Sequence, residues 1–325
     1  MKIDRSEVKR ILVITLSNVG DIILTTPAIR TLRKEYPGSR IDVMAGPSGK
    51  GIFEKDPDVF KLIIYDKHMP IPQKRRLQLK LKKLRYDLVV DLKNTVFPLL
   101  IGPRFRTATI QSFPASVTHS IQKHLHRLRS LGIEDVERQP RIYIPKDDED
   151  SIASVIKDHG IGEVFVVVNP GAKSHLKRWM TEGFAEVSDR LVRECSTEVV
   201  FIGMDEDKAI VEKVISNMKN KAHDLVGKTN IRQLASLIKR SKLIITNDSA
   251  PLHLGSAVGT KVLALFGPTD PKKYGPIGEF DVVINEKLTC SPCESAECKY
   301  NYECMKLISP QAVFDAAKMM LEGYE

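Results

Sequence analysis

Thr246-Asn247-Asp248-Ser249-Ala250-Pro251-Leu252-His253-Leu254-Gly255 is the stretch from which the rest of the chain can be read. It is entered through Leu243-Ile244-Ile245 and left through the apolar run Lys261-Val262-Leu263-Ala264-Leu265-Phe266, then Gly267-Pro268-Thr269. The β-branched run predicts a buried strand that delivers the chain to Asp248 and Ser249. Both are good helix N-cap types, Pro251 suits the first helical turn, and Gly259 predicts the stop. Such a strand-turn-helix unit leaves backbone N–H groups and a positive helix end pointing out of a parallel sheet, where a diphosphate is stabilised. The same letters also describe an ordinary capped helix, so the choice depends on the rest of the chain.

A chain of 325 residues predicts two domains of roughly 150 residues each. No run reaches the roughly 20 apolar residues needed to span a bilayer, and Met1 to Glu7 carry no signal-peptide core, so a cytoplasmic protein is expected. The net charge of +9 favours an acidic partner: nucleic acid, an anionic membrane face or an anionic substrate.

Strands and helices alternate along the chain, which predicts a parallel doubly wound α/β fold. In the first half the strands are Arg10 to Leu16, Arg40 to Ala45, Leu62 to Tyr65 and Tyr86 to Leu92, with a helix from about Ile22 to Glu35 and a last strand or edge at Arg141 to Pro145. In the second half they are Val164 to Asn169, Glu198 to Ile202, a strand near Leu225, and the opening unit. Helices are expected at Glu182 to Cys195, Asp205 to Met218 and Ile231 to Arg240. The expected division is 1–158, 159–309 and a final helix within 310–325 that could pack on either domain, with a cleft between two Rossmann-like halves. Two basic helical segments are predicted: Gln73 to Arg85, with Leu77, Leu81 and Leu84 along one face, and Thr118 to Leu131. Gly46-Pro47-Ser48-Gly49-Lys50-Gly51 lacks the spacing of a phosphate-binding loop, and no Gly-x-Gly-x-x-Gly follows the first strand.

Chemistry concentrates at strand ends. Asn169-Pro170-Gly171-Ala172 follows one strand, and Lys173 and Lys177 behind it offer ammonium groups to the same anion as the Asp248-Ser249 loop. In the first half Asp21 follows Gly20, as a helix cap or as a general base that takes a proton from an incoming hydroxyl.

The chain resembles the lipopolysaccharide heptosyltransferases, glycosyltransferase family 9. The resemblance rests on Ser17-Asn18-Val19-Gly20-Asp21-Ile22-Ile23-Leu24-Thr25-Thr26-Pro27-Ala28, Asn169-Pro170-Gly171-Ala172 with Lys177-Arg178-Trp179, and Thr246 to His253. Phe266-Gly267-Pro268-Thr269 and Cys290-Ser291-Pro292-Cys293 also match. It implies a GT-B fold, a nucleotide-sugar donor in the C-terminal half, and inverting heptose transfer from ADP-heptose with no metal. By position it implies Asp21 as base, Lys177 on the donor phosphates, Asp248 on the heptose hydroxyls, and Ser249, Ala250 and His253 at the donor-phosphate loop. Ala172 and Lys173 lie beside that loop, Glu206 matches the ribose carboxylate and Thr229 the adenine pocket. Better-known members carry hydroxyl residues where this chain has Ala172 and Lys173, which leaves another nucleotide sugar or acceptor open. An anionic lipopolysaccharide core as acceptor would meet Lys93, Arg104, Arg106, His119 and Arg127, with the enzyme peripheral at the inner membrane face. A basic nucleic-acid-binding protein with a cysteine knuckle is the alternative from another class, although the enzyme reading expects no nucleic acid.

Cys290, Cys293, Cys298 and Cys304 have the form Cys-x2-Cys-x4-Cys-x5-Cys. A structural zinc held by four thiolates, reduced thiols packed in a loop, and disulfides all remain open; no cofactor is expected for catalysis.

Overall fold

The computed structural model describes residues 3–109 and 111–323 as two compact units, 1–143 and 144–325. The first holds a parallel sheet of β1 (Arg10–Ile14), β2 (Arg40–Ala45), β3 (Lys61–Ile64), β4 (Leu88–Asp91) and β5 (Phe105–Arg106), in the order β3-β2-β1-β4-β5. The second holds β6 (Phe165–Asn169), β7 (Glu198–Phe201), β8 (His223–Asp224), β9 (Leu243–Asn247), β10 (Val262–Phe266) and β11 (Val282–Asn285), in the order β11-β10-β9-β6-β7-β8, again all parallel. The apolar runs become central strands because helices cover both sheet faces: every residue of β6, β9 and β10 is buried.

Strand order fixes where a ligand can sit. In the second unit the chain starts in mid-sheet at β6, builds outward to β8, then returns to place β9 on the other side of β6. The loops leaving β6 and β9 therefore diverge and open a crevice at their carboxyl ends, a topological switch point. The first unit repeats this between β1 and β4.

The structure differs from the sequence reading at several places. The helix expected over Ile22 to Glu35 is two, Val19–Ile23 and Thr26–Glu35, because the Thr25 hydroxyl donates to the Ile22 carbonyl at 2.6 Å and Pro27 starts a new first turn. Arg141 to Pro145 is not a strand; the Arg141 N–H donates to Thr26 Oγ1 at 3.0 Å instead of to a ladder. The charged run after it is the start of a helix, Lys146–Asp158, whose Asp148 meets Arg232 at 2.6 Å and Asn230 at 3.2 Å at the start of the helix Ile231–Arg240. That contact puts 146–158 in the second unit, so the division falls at 143 rather than 158. The final helix, Pro310–Glu322, packs on the helix Thr181–Cys195 of the same unit, where Arg190 lies 3.7 Å from the Phe314 ring centroid. Short elements with little periodicity, such as β5, β11 and the helix Phe97–Ile101, were invisible to pattern reading.

The helix Ala250–Val258 lies unusually close to its sheet. A Cβ on Gly255 would stand 2.7 Å from Val262 Cγ2 and 3.0 Å from Ile244 Cγ2. Only glycine allows that approach, and it seats the helix N-terminus directly above the end of β9.

Candidate active site

Two asparagines build the crevice of the second unit. Asn169 ends β6, and its Nδ2 lies within hydrogen-bond reach of Gly171 O (2.9 Å), Thr246 Oγ1 (3.1 Å) and Ser249 Oγ (2.9 Å). Asn247 ends β9; its Nδ2 donates to Pro170 O at 2.8 Å and its Oδ1 accepts from the Trp179 N–H at 3.1 Å. Each amide is buried and spans the switch point, so the two loops hold a fixed spacing. Pattern reading passed over both residues as site elements. A terminal asparagine on an otherwise apolar strand was the available signal.

On this frame sits an ion pair. Lys177, in the short 3₁₀ turn His175–Lys177, places Nζ 2.6 Å from Asp248 Oδ2. The Asp248 side chain is 7% exposed and that of Lys177 33%. Arg178 Nε donates to Ala172 O at 2.8 Å and closes the loop between β6 and the turn. Trp179 is core: its indole N–H donates to Ile308 O at 3.1 Å and its ring meets Phe184 edge-on.

The N-cap of the helix Ala250–Val258 is Ser249 alone, and its hydroxyl makes no capping bond. That hydroxyl faces Asn169, Thr246 and the Asn247 carbonyl instead. The positive helix end is therefore not capped by the Ser249 side chain, as an anion site requires. His253 is buried within the same helix.

The remaining donor-side residues follow other strand ends of this sheet. Ala172 is buried and Lys173 exposed after β6; Glu206 is exposed in the turn Asp205–Asp207 after β7; Thr229 is half-buried after β8. Four adjacent strands thus contribute to one edge. Asp207, rather than Glu206, makes the local contact, accepting from the Met204 N–H at 3.0 Å.

In the first unit Asp21 lies on the helix Val19–Ile23 after β1 and accepts from Asn18 Nδ2 at 3.0 Å; Asn18, not Asp21, is the N-cap. Lys93 follows β4 and its Nζ donates to Ser17 Oγ at 2.8 Å, which ties the ends of β1 and β4 together. Asp91 holds the Lys93 turn by accepting from the N–H groups of Lys93 and Thr95. Asp21 and Lys93 therefore share the switch point of this unit.

The other cations expected on the acceptor side are dispersed. Arg106 is exposed at the end of β5. Arg104 precedes β5 and pairs at 2.7 Å with Glu7, which precedes β1, so it belongs to the opposite sheet edge. His119 is the N-cap of the helix Ser120–Arg129, its Nδ1 accepting from the Ile121 N–H at 3.2 Å. Arg127 is buried over the Phe113 ring, with Nε and Nη1 unsatisfied; burial lowers its pKa and the charge of Asp91 opposes that shift.

All four clustered cysteines are free. Cys293 and Cys298 are exposed, Cys290 is half-buried and Cys304 belongs to the core. The N–H groups of Tyr300 and Tyr302 donate to Cys298 Sγ at 3.4 and 3.3 Å. Among the described residues no three His, Cys, Asp or Glu side chains group as metal ligands. No helix among them is long and apolar enough to cross a membrane.

A family model described as glycosyltransferase family 9 (heptosyltransferase) matches residues 74–303. Lipopolysaccharide heptosyltransferase 3 of Escherichia coli K12 is 30% identical over 282 residues, covering 79% of this chain and 82% of the relative. The crystal structure of a family 9 glycosyl transferase from Veillonella parvula superposes with a TM-score of 0.85 at 27% identity, over 97% of both chains. The structure of E. coli ADP-heptose lps heptosyltransferase II gives 0.79 at 23% identity, over 96% of this chain and 98% of that one.

Proposed function

This chain belongs to glycosyltransferase family 9, the heptosyltransferases, and on that footing we propose that it transfers heptose from ADP-heptose to the inner core of lipopolysaccharide. Membership in an enzyme family displaces the nucleic-acid-binding alternative. The observation that carries the reading is the Lys177–Asp248 pair beside the N-terminus of the helix Ala250–Val258, which the Ser249 side chain leaves uncapped. One charged pair and one helix end offer a nucleotide sugar what it needs: a carboxylate for sugar hydroxyls, a cation and a helix dipole for the diphosphate.

The reaction is an inverting displacement. The acceptor hydroxyl oxygen attacks the anomeric carbon of the donor as its proton passes to the Asp21 carboxylate, and the bond to the β-phosphate oxygen breaks to release ADP. Lys177, Lys173 and the backbone amides at Ser249 and Ala250 stabilise the charge that develops on the diphosphate, with no metal ion in the step. Ala172 lets that loop approach the phosphates and His253 supports it from the helix. Glu206 accepts from the ribose hydroxyls and Thr229 borders the adenine. Lys93 and Arg106 meet the anionic acceptor, whereas Arg104, paired with Glu7 at the opposite sheet edge, does not. The enzyme works in the cytoplasm, peripheral at the inner membrane face, where lipid-linked acceptor is presented.

The test is nucleoside diphosphate release from a panel of nucleotide sugars, with and without deacylated lipopolysaccharide core. Release from ADP-heptose that depends on the core supports the proposal, and survival of that rate in EDTA supports metal independence. Release only from another nucleotide sugar would keep the family and change the donor. A structural zinc is separate: burial and then the neighbouring Cys298, Cys290 and Cys293 raise the pKa of Cys304, but among the described residues no three of these thiols group as metal ligands. Metal analysis of purified protein decides it, one zinc per chain for and a value near zero against.

A further inference from the structure

The helix Ile71–Lys83 carries more charge than its fold requires. It buries Leu81 and half-buries Leu77 beside Leu84, which pack with Phe97 and Ile101 of the neighbouring helix. Leu79 points the other way and is 49% exposed. On a helix the surface neighbours of position 79 are 75, 76, 82 and 83, and here all four are cations: Arg75, Arg76, Lys82 and Lys83. Residues 71–85 hold seven Lys or Arg and no Asp or Glu. Arg75, Arg76, Lys80, Lys82, Lys83 and Arg85 are exposed, and none has a carboxylate at ion-pair distance among the described residues.

Exposed apolar side chains extend the patch. Ile71 at the start of the helix is 79% exposed. Val96, Leu99 and Leu100 stand out from the adjoining helix Phe97–Ile101 while its Phe97 and Ile101 face the core. A solvated helix face has no use for a leucine ringed by unpaired cations. A surface that lies at an anionic bilayer does: the apolar residues enter the acyl boundary while the Lys and Arg heads stay at phosphate level.

We propose that the outer face of the helix Ile71–Lys83, centred on Leu79 and continued by Val96, Leu99 and Leu100, is the surface by which this enzyme docks on an anionic lipid bilayer. Charge complementarity selects the lipid, and the interleaved aliphatic residues select a bilayer over nucleic acid, whose single-stranded binding platforms use aromatic side chains that residues 71–85 lack. The purpose of docking rests on the lipid-linked acceptor proposed above, whereas the binding rests on this surface alone.

The experiment therefore reads binding apart from turnover. The full chain is floated with phosphatidylglycerol-rich vesicles and with phosphatidylcholine vesicles, and assayed separately with soluble deacylated core. Each Lys or Arg near an anionic surface is worth about a fivefold gain in partitioning. Combined Arg76→Gln, Lys82→Gln and Lys83→Gln should thus weaken binding to the anionic vesicles on the order of 100-fold, with turnover on soluble acceptor unchanged. Removing three exposed charges from the second unit, with Lys221→Gln, Lys287→Gln and Lys299→Gln, should cost far less. Leu79→Trp supplies a reporter, because the chain's single tryptophan, Trp179, is buried and gives a constant background. Its emission should shift to the blue on anionic vesicles only. Equal losses in the two triple variants, an unshifted Trp reporter on vesicles that still bind, or an RNA oligomer retained by this helix while vesicles are ignored would each overturn the proposal. Inactivity toward every nucleotide sugar would overturn the function and leave the docking surface standing.

Discussion

Lys177 Nζ and Asp248 Oδ2 lie 2.6 Å apart, and the two residues come from loops that follow β6 and β9. The lysine proposed for the donor phosphates is thus paired with the carboxylate proposed for the sugar. A donor diphosphate competes with Asp248 for the same ammonium group. Asp248→Asn should release that competition: ADP affinity, measured by calorimetry, is unchanged or tighter, while kcat falls about 10- to 100-fold for loss of one charged hydrogen bond to the sugar. Parallel loss of ADP affinity would refute the division of roles.

Removing the other partner acts on stability. Lys177→Met leaves the buried Asp248 carboxylate uncompensated, a cost of about 1–3 kcal/mol that is reduced because a third of the lysine side chain meets water. Urea unfolding should show that loss, and the double variant with Asp248→Asn should recover most of it. Additive losses would mean that the contact contributes nothing.

Asp21 is predicted to act on rate alone. General-base catalysis contributes on the order of 10²–10⁴-fold, so Asp21→Asn should lower kcat by that factor with the ADP dissociation constant intact. Comparable losses in binding and turnover would move Asp21 to a structural role.

The opening strand-turn-helix shows what was legible and what was not. Strand β9, the stop at Gly259 and the helix Ile231–Arg240 followed from apolar periodicity and turn residues, because those signals are local. Strand order was not legible, since it depends on which distant strands pair. Without it, Asn169 and Asn247 could not be recognised as the bridges across the crevice. The same blindness misplaced Arg104: its charge is visible in the sequence, but its sheet edge is decided by the pairing of β5 with β4. Asp248 and Ser249 both read as caps, and only tertiary contacts turned one to Lys177 and the other to Asn169.

Gly255 links packing to the site. Gly255→Ala gains helix propensity of about 1 kcal/mol, but its Cβ must displace Val262 and Ile244, and overpacking costs about 1–3 kcal/mol. The second unit should be destabilised on balance, and the shifted helix end should weaken ADP binding more than any exposed alanine substitution does. A variant as stable as the parent with full ADP affinity would show that the close approach is dispensable.

His124, on the helix Ser120–Arg129, sets a pH limit for the first unit. Burial lowers its pKa to about 4, with further lowering by the charges of Arg127, His119 and Lys123. The folded chain therefore keeps the ring neutral where the unfolded chain, with a pKa near 6.5, takes up a proton. The sign follows: the unfolded state binds more protons between those values, so stability is full above about pH 6.5 and is lost as pH falls toward 4. A shift of that size corresponds to roughly 3 kcal/mol. His124→Leu should be less sensitive to pH across this window, as measured by chemical unfolding at a series of pH values. Unchanged pH dependence in the variant would assign the acid sensitivity to other groups.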